Sequence, residues 1–239
     1  IDPAEIGKNV NAHIPIVGDV KSVLREFTKE IEACPCDEWL KKVQAAKKEA
    51  PLRGEPRTDF VEPRAFMRDL SAMMEDDAIL TADVGQNQIW AANNFNTKEG
   101  RFLTSGGMGT MGYALPAAIG AKLAKPKRQV VAVCGDGSFQ MSMCELATAN
   151  QNQVPLKLVV MRNKFLGMVK ELQDNLYQGR HVATPLNGDP DIVKLVQAYG
   201  IKAVFAQNNE DAKKLAKEML ESKEAYVLVC DVDPNTPSI

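Results

Sequence analysis

Short apolar runs alternating with longer helical stretches predict an α/β fold. The expected form is a doubly wound parallel sheet with helices on both faces, preceded by a helical linker. Two observations carry this expectation. Ala78–Asp83, Val130–Cys134, Leu156–Met161, Lys202–Phe205 and Tyr226–Asp231 are short apolar or β-branched runs, the pattern of parallel strands buried on both faces. Helical spacing fills the intervals, over about 112–125, 139–151, 190–199 and 210–222.

The elements before the first strand differ in character. Val20, Val23, Leu24, Phe27 and Ile31 recur at helical spacing over about 20–32. Asp37 can cap a second helix through Ala50, with Leu40, Val43 and Ala46 on one face and lysines on the other. Pro51 to Pro63 holds three prolines, a glycine and several charges, and reads as a linker. The first sixty or so residues therefore have little core of their own and are expected to pack on another surface. We divide the chain into residues 1–58, the end of a preceding domain plus a helical linker, and 59–239, the main domain. Pro63 suits the first turn of a helix running to Met74. Ile1-Asp2-Pro3 resembles the end of a strand and lacks an initiator methionine, so the chain is expected to be the C-terminal part of a longer polypeptide.

Composition narrows the class. Hydrophobic residues are 45% and charged residues 25%, with a net charge of −2, which leaves no basic footprint for nucleic acid or an anionic membrane. No apolar run approaches the roughly eighteen residues of a membrane span, and no signal peptide is visible. Three of the five cysteines (Cys134, Cys144, Cys230) fall in apolar patterns and read as buried thiols. Cys34-Pro35-Cys36 is too tightly spaced for a zinc pair. A reduced, cytoplasmic protein is expected.

Ligands of parallel α/β sheets bind beyond the C-terminal strand ends. Asp83-Val84-Gly85, Gly135-Asp136-Gly137 and Arg162-Asn163 all fall there. The glycines beside Asp136 let backbone approach an anion, and Ser138 is expected to open a helix whose first N–H groups are unpaired. Asp136 and Asn163 then offer two oxygens, and the Phe165 carbonyl a third, to a magnesium ion gripping a diphosphate. That pairing points to thiamine diphosphate. The alternative is a turn aspartate that merely caps a helix. Gly107-Met-Gly-Thr-Met-Gly112 matches the G-x-G-x-x-G dinucleotide pattern, but Arg101–Thr104 before it reads as a poor buried strand, and Asp136 is the nearest strand-end acid. No Walker-type phosphate loop is present.

These blocks occur in one order: Asp83 to Ala91, Thr104 to Gly120, Gly135-Asp-Gly-Ser-Phe-Gln-Met141 and Leu166-Gly-Met-Val169. Together they resemble the C-terminal, thiamine diphosphate-binding part of acetohydroxyacid (acetolactate) synthase catalytic subunits, over essentially the whole chain. Residues 1–9 resemble the end of that family's middle domain.

The resemblance implies condensation of two 2-oxo acids, pyruvate with pyruvate or 2-oxobutanoate, with loss of carbon dioxide in branched-chain amino acid biosynthesis; the cofactor is the electron sink. It implies that Val84, Gly85, Gln86 and Asn87 meet the diphosphate, Asn87 standing where the family has histidine. Gly109 would offer its carbonyl to the aminopyrimidine, and Met111 would bend the cofactor; a core methionine is the alternative. Leu166, Gly167, Met168 and Val169 would line the pocket beside the substrate. Arg162 replaces the first asparagine of an Asn-Asn pair, and Leu172 replaces a tryptophan that favours 2-oxobutanoate, so the second substrate stays open.

Lys170 to His181 reads equally as a mobile segment or a solvated helix. Glu145, read as mid-helix, supports packing. The activating glutamate is expected in an N-terminal domain across a subunit interface, leaving the isolated chain without turnover. FAD, a homodimer or homotetramer and a regulatory small subunit are family expectations, and Gly106–Gly120 suggests an interface. A catabolic synthase, another decarboxylase or carboligase, a binding-only module and a nicotinamide-binding dehydrogenase remain as alternatives.

Overall fold

The computed structural model describes residues 2–49 and 59–239, so most of the expected linker lies outside the described residues. The chain divides into two units, Ile1–Pro51 and Leu52–Ile239.

The first unit holds two helices, α1 (Val20–Glu30) and α2 (Asp37–Glu49). Asp19 caps α1 by accepting from the Ser22 N–H at 3.0 Å. None of the residues of α1 is buried, and Val20, Leu24 and Phe27 of its apolar stripe are exposed. Asp37 is the first residue of α2 rather than its cap. Of the strand end expected at Ile1-Asp2-Pro3, Ile1 lies outside the described residues; Asp2 caps a 3-10 turn, Pro3–Glu5, and Pro3 fixes a turn-compatible φ.

The second unit begins with α3 (Pro63–Met73), β1 (Ile79–Ala82), α4 (Gln86–Asn94), β2 (Arg101–Thr104) and α5 (Ala114–Ala124). Then come β3 (Val130–Gly135), α6 (Asp136–Ser142), α7 (Glu145–Gln151), β4 (Lys157–Arg162) and α8 (Gly167–Tyr177). The unit closes with α9 (Ile192–Ala198), β5 (Lys202–Ala206), α10 (Asn209–Glu221) and β6 (Tyr226–Asp231).

All six strands are parallel, in the order β2-β1-β3-β4-β6-β5. Alternate strand residues enter two cores. Leu80, Val131, Val133, Val159 and Leu228 meet α3, α4 and α10 through Phe66, Leu70, Trp90 and Met219. Ile79, Ala132, Leu158, Val160 and Val227 meet the other layer through Leu115, Ile119, Leu146 and Val196. Both faces are covered, which is why the central strands read as apolar throughout.

Four details depart from the sequence reading. Arg101–Thr104 does form a strand; as an edge strand paired only with β1, it needs one covered face, and Arg101 stays exposed. Helix α4 had no amphipathic signal, because Gln86 and Asn87 share its buried face with Trp90 and Ala91. The helix expected over 139–151 is two: hydrogen bonds from Leu146 to Met143 and from Ala147 to Cys144 tighten the chain at the junction. Glu145 therefore opens α7, accepting from Thr148 Oγ1 at 2.8 Å, and Cys144 at that junction is exposed; only Cys134 and Cys230 are the buried thiols expected.

Candidate functional site

The strand order reverses between β1, flanked by β2, and β3, which leads to β4. Such a switch point leaves a crevice beyond the C-terminal strand ends, where the following helices leave in different directions. A cleft lies at these ends.

One wall comes from the end of β1. Val84, Gly85, Gln86 and Asn87 line the cleft, with Trp90 one turn farther along α4. Gly85 has φ 138°, a backbone conformation closed to ordinary side chains, and it turns the chain abruptly from strand to helix. Asn87 Nδ2 donates to the Asp83 carbonyl at 2.8 Å, closing that turn.

The floor comes from β3. Gly135, Asp136, Gly137 and Ser138 line it, and α6 begins at Asp136 itself, two residues before the expected start. Ser138 Oγ donates to the Val84 carbonyl at 3.3 Å and ties the two strand ends together. The opposite wall comes from β4 and α8: Met161, Asn163, Phe165, Leu166, Gly167, Met168 and Val169. Met111, from the loop after β2, completes the lining.

Register explains why Asp136 and Asn163 share this space. Gly135 is paired with Met161 across β3 and β4, so the residues just beyond each strand lie side by side. The Lys164 N–H donates to Asp136 Oδ2 at 2.7 Å, and the Gly137 N–H to Oδ1 at 3.0 Å. Asn163 Oδ1 accepts from the Phe165 N–H at 3.0 Å. Burial pushes the Asp136 carboxyl up to about 6, outweighing those two N–H donors and the Arg162 guanidinium, which pull it down. A carboxylate in that condition favours a cation at its remaining lone pairs. Among the described residues no group of three His, Cys, Asp or Glu could hold a metal ion. The cleft instead offers a carboxylate on Asp136, an amide oxygen on Asn163 and the backbone of Phe165, and oxygens of this hard kind are what magnesium takes.

Two expected residues stand apart. Gly109 lies in the exposed loop after β2, and Leu172 is 51% exposed on α8; neither lines the cleft. Lys170 departs from the solvated-helix reading, being buried with its Nζ 2.8 Å from Asp174 Oδ2 and 5.7 Å from the centre of the Phe165 ring.

Sequence reasoning gave Asp83 no role, yet it organises the site. Fully buried, it accepts from the Val84 and Gly112 N–H groups at 2.9 Å through Oδ1, and from the Ala114 N–H at 3.0 Å through Oδ2. It thereby fixes the loop that carries Met111 and the start of α5. An acid closing a largely apolar strand was the available signal, since buried carboxylates need dedicated donors. Arg162 is also engaged, paired with Asp231 at 2.6 Å and with Asp189 at 2.7 Å.

The dinucleotide alternative loses support from this geometry. Its glycine loop follows an edge strand instead of opening the switch-point helix, and contributes only Met111 to the cleft.

Comparison with known proteins agrees. Residues 83–230 match the family model for the thiamine pyrophosphate enzyme, C-terminal TPP binding domain. The probable acetolactate synthase large subunit of Methanocaldococcus jannaschii is 42% identical over 248 residues, covering 98% of this chain and 41% of that protein. The acetolactate synthase isozyme 3 large subunit of Escherichia coli is 39% identical, covering 92% and 40%. The acetolactate synthase large subunit of Lactococcus lactis is 38% identical, covering 95% and 42%. The chain thus spans about two fifths of the length of these curated relatives. Its six-stranded parallel sheet and the match over more than half its length make it a member of the thiamine pyrophosphate enzyme family, of which it carries the C-terminal TPP-binding domain.

Proposed function

We propose that this domain holds thiamine diphosphate through a magnesium ion at the β1/β3 switch point, as the cofactor-binding part of an acetolactate synthase. The observation that carries the reading is the meeting of Asp136 and Asn163 in one cleft, in a chain whose family is defined by that cofactor.

In this proposal Asp136, Asn163 and the Phe165 carbonyl hold the metal. Val84, Gly85, Gln86 and Asn87 face the diphosphate together with the first turn of α6. Met111, Leu166, Met168 and Val169 give the cleft an apolar wall, and Gly109, in the exposed loop after β2, would offer its carbonyl to the aminopyrimidine. Bound there, thiamine diphosphate would supply the electron sink for decarboxylation of a 2-oxo acid and bonding to a second. Leucine at 172 leaves the second acid open between pyruvate and 2-oxobutanoate.

The rest of the polypeptide, FAD, a homodimer or homotetramer, a regulatory small subunit, a cytoplasmic setting and a part in branched-chain amino acid biosynthesis belong to the same proposal, on likeness to the relatives. So does the expectation that this chain alone gives no turnover.

The test is product analysis of the full-length enzyme with pyruvate, thiamine diphosphate and magnesium, with and without 2-oxobutanoate. Acetohydroxy acids and carbon dioxide are expected. Acetaldehyde as the sole organic product would move the reading to a simple decarboxylase. NADH-dependent reduction that needs no thiamine diphosphate would overturn it.

A further inference from the structure

Gln86 sits between two groups that can only accept hydrogen bonds. Its Nε2 donates to Glu171 Oε2 at 2.9 Å and to the Thr236 carbonyl at 3.1 Å. With the nitrogen committed to both acceptors, Gln86 Oε1 must face the other way, where it accepts from Asn163 Nδ2 at 3.1 Å. With one N–H of its amino group tied to Gln86, Asn163 turns its Oδ1 to the Phe165 N–H, in the cleft that Asp136 also lines. The bond between Gln86 and Asn163 is buried, so water does not compete for it.

We infer that Glu171 is a positioning residue for the metal ligand Asn163: its carboxylate sets the orientation of the Gln86 amide, which sets that of the Asn163 amide. This rests on the proposal that Asn163 ligates the metal.

Two further features fit. A Cβ on Gly167 would stand 2.6 Å from Asn163 Nδ2 and 2.9 Å from Gln86 Cδ, and closer still to Gln86 Oε1, so the start of α8 must be bare for the amide pair to exist. Glu171 is held in turn by the Ser238 N–H, at 3.2 and 3.1 Å to its two oxygens. The relay therefore runs from the strap at residues 236–238, through α8 and α4, to the end of β4.

Partners behind a metal ligand tune affinity by about ten- to a hundredfold. The experiment is a Mn2+ titration of the full-length enzyme saturated with thiamine diphosphate, read by the electron paramagnetic resonance of free Mn2+. E171L, which cannot accept, is expected to weaken Mn2+ about tenfold, and E171Q, which still can, to stay within about threefold. In a Q86A background, E171L should change affinity less than about twofold, because the relay is already cut. A purely structural role in holding Ser238 would instead give the same loss in both backgrounds, and that result would overturn the inference. So would unchanged Mn2+ affinity in E171L while D136A abolishes binding. If D136A itself binds Mn2+ like the wild type, the metal reading fails first and the relay falls with it.

Discussion

Asp83 and Asp136 occupy equivalent places, each just beyond the end of one of two neighbouring strands, and both are almost fully buried. Their surroundings differ. Asp83 accepts three backbone N–H groups, two of them from the loop and helix start that bring Met111 to the cleft. Asp136 accepts two, faces the cleft, and has its carboxyl pushed up to about 6. One acid is spent inside the protein, and the other keeps binding capacity for something outside it. A buried carboxylate is thus an anchor or a ligand according to how many donors the fold supplies.

Removing the anchor should produce the largest effect. D83A deletes three charge-assisted hydrogen bonds and leaves their N–H donors buried, for a loss of about 4 kcal/mol in urea-induced unfolding. That loss should be the same with and without cofactor. A D83A chain as stable as the wild type would erase the contrast.

Asp136 should reveal itself by pH dependence. Its folded pKa of about 6 exceeds the ordinary 3.8, so its contribution to stability is fully present below pH 3.8 and is lost as pH rises through 6. Without metal, the stability of D136N relative to wild type should therefore rise by up to about 3 kcal/mol between pH 4 and pH 7. Parallel pH profiles for the two proteins would contradict the burial cost. Saturating magnesium should reverse the trend, since the ion favours the charged form.

Gly167 sharpens the comparison on the β4 side. G167A forces a methyl into the Gln86–Asn163 pair and should cost about 2 kcal/mol, while weakening cofactor binding in the full-length enzyme. Cofactor affinity equal to wild type would separate the amide pair from the site. Leu172 lies half in solvent, so L172W should change stability by less than about 0.5 kcal/mol. Its effect, if the side chain meets substrate, should instead be a changed product ratio when pyruvate and 2-oxobutanoate compete.

The contrast also marks what sequence can convey. The central strands were legible because burial on both faces makes them apolar throughout, and the strand-end positions of Asp136 and Asn163 followed from that pattern. Arg101–Thr104 was not legible, because an edge strand leans on one neighbour and carries a weaker signal. Helix α4 escaped because its buried face holds amides that take part in the site. Asp83 and Glu171 were invisible as functional residues for a related reason. Each acts through partners far away in the chain: Asp83 through Gly112 and Ala114, Glu171 through Gln86 and Ser238. Periodicity carries no trace of such pairings; only the folded register brings them together.

The most direct test is calorimetric titration of thiamine diphosphate into the full-length enzyme, with magnesium or with chelator, for wild type, D136A and N163A. Tight binding only with magnesium, and losses beyond about a hundredfold in both variants, is the predicted result. Equal affinity in chelator, or in either variant, would contradict a shared metal at the ends of β3 and β4.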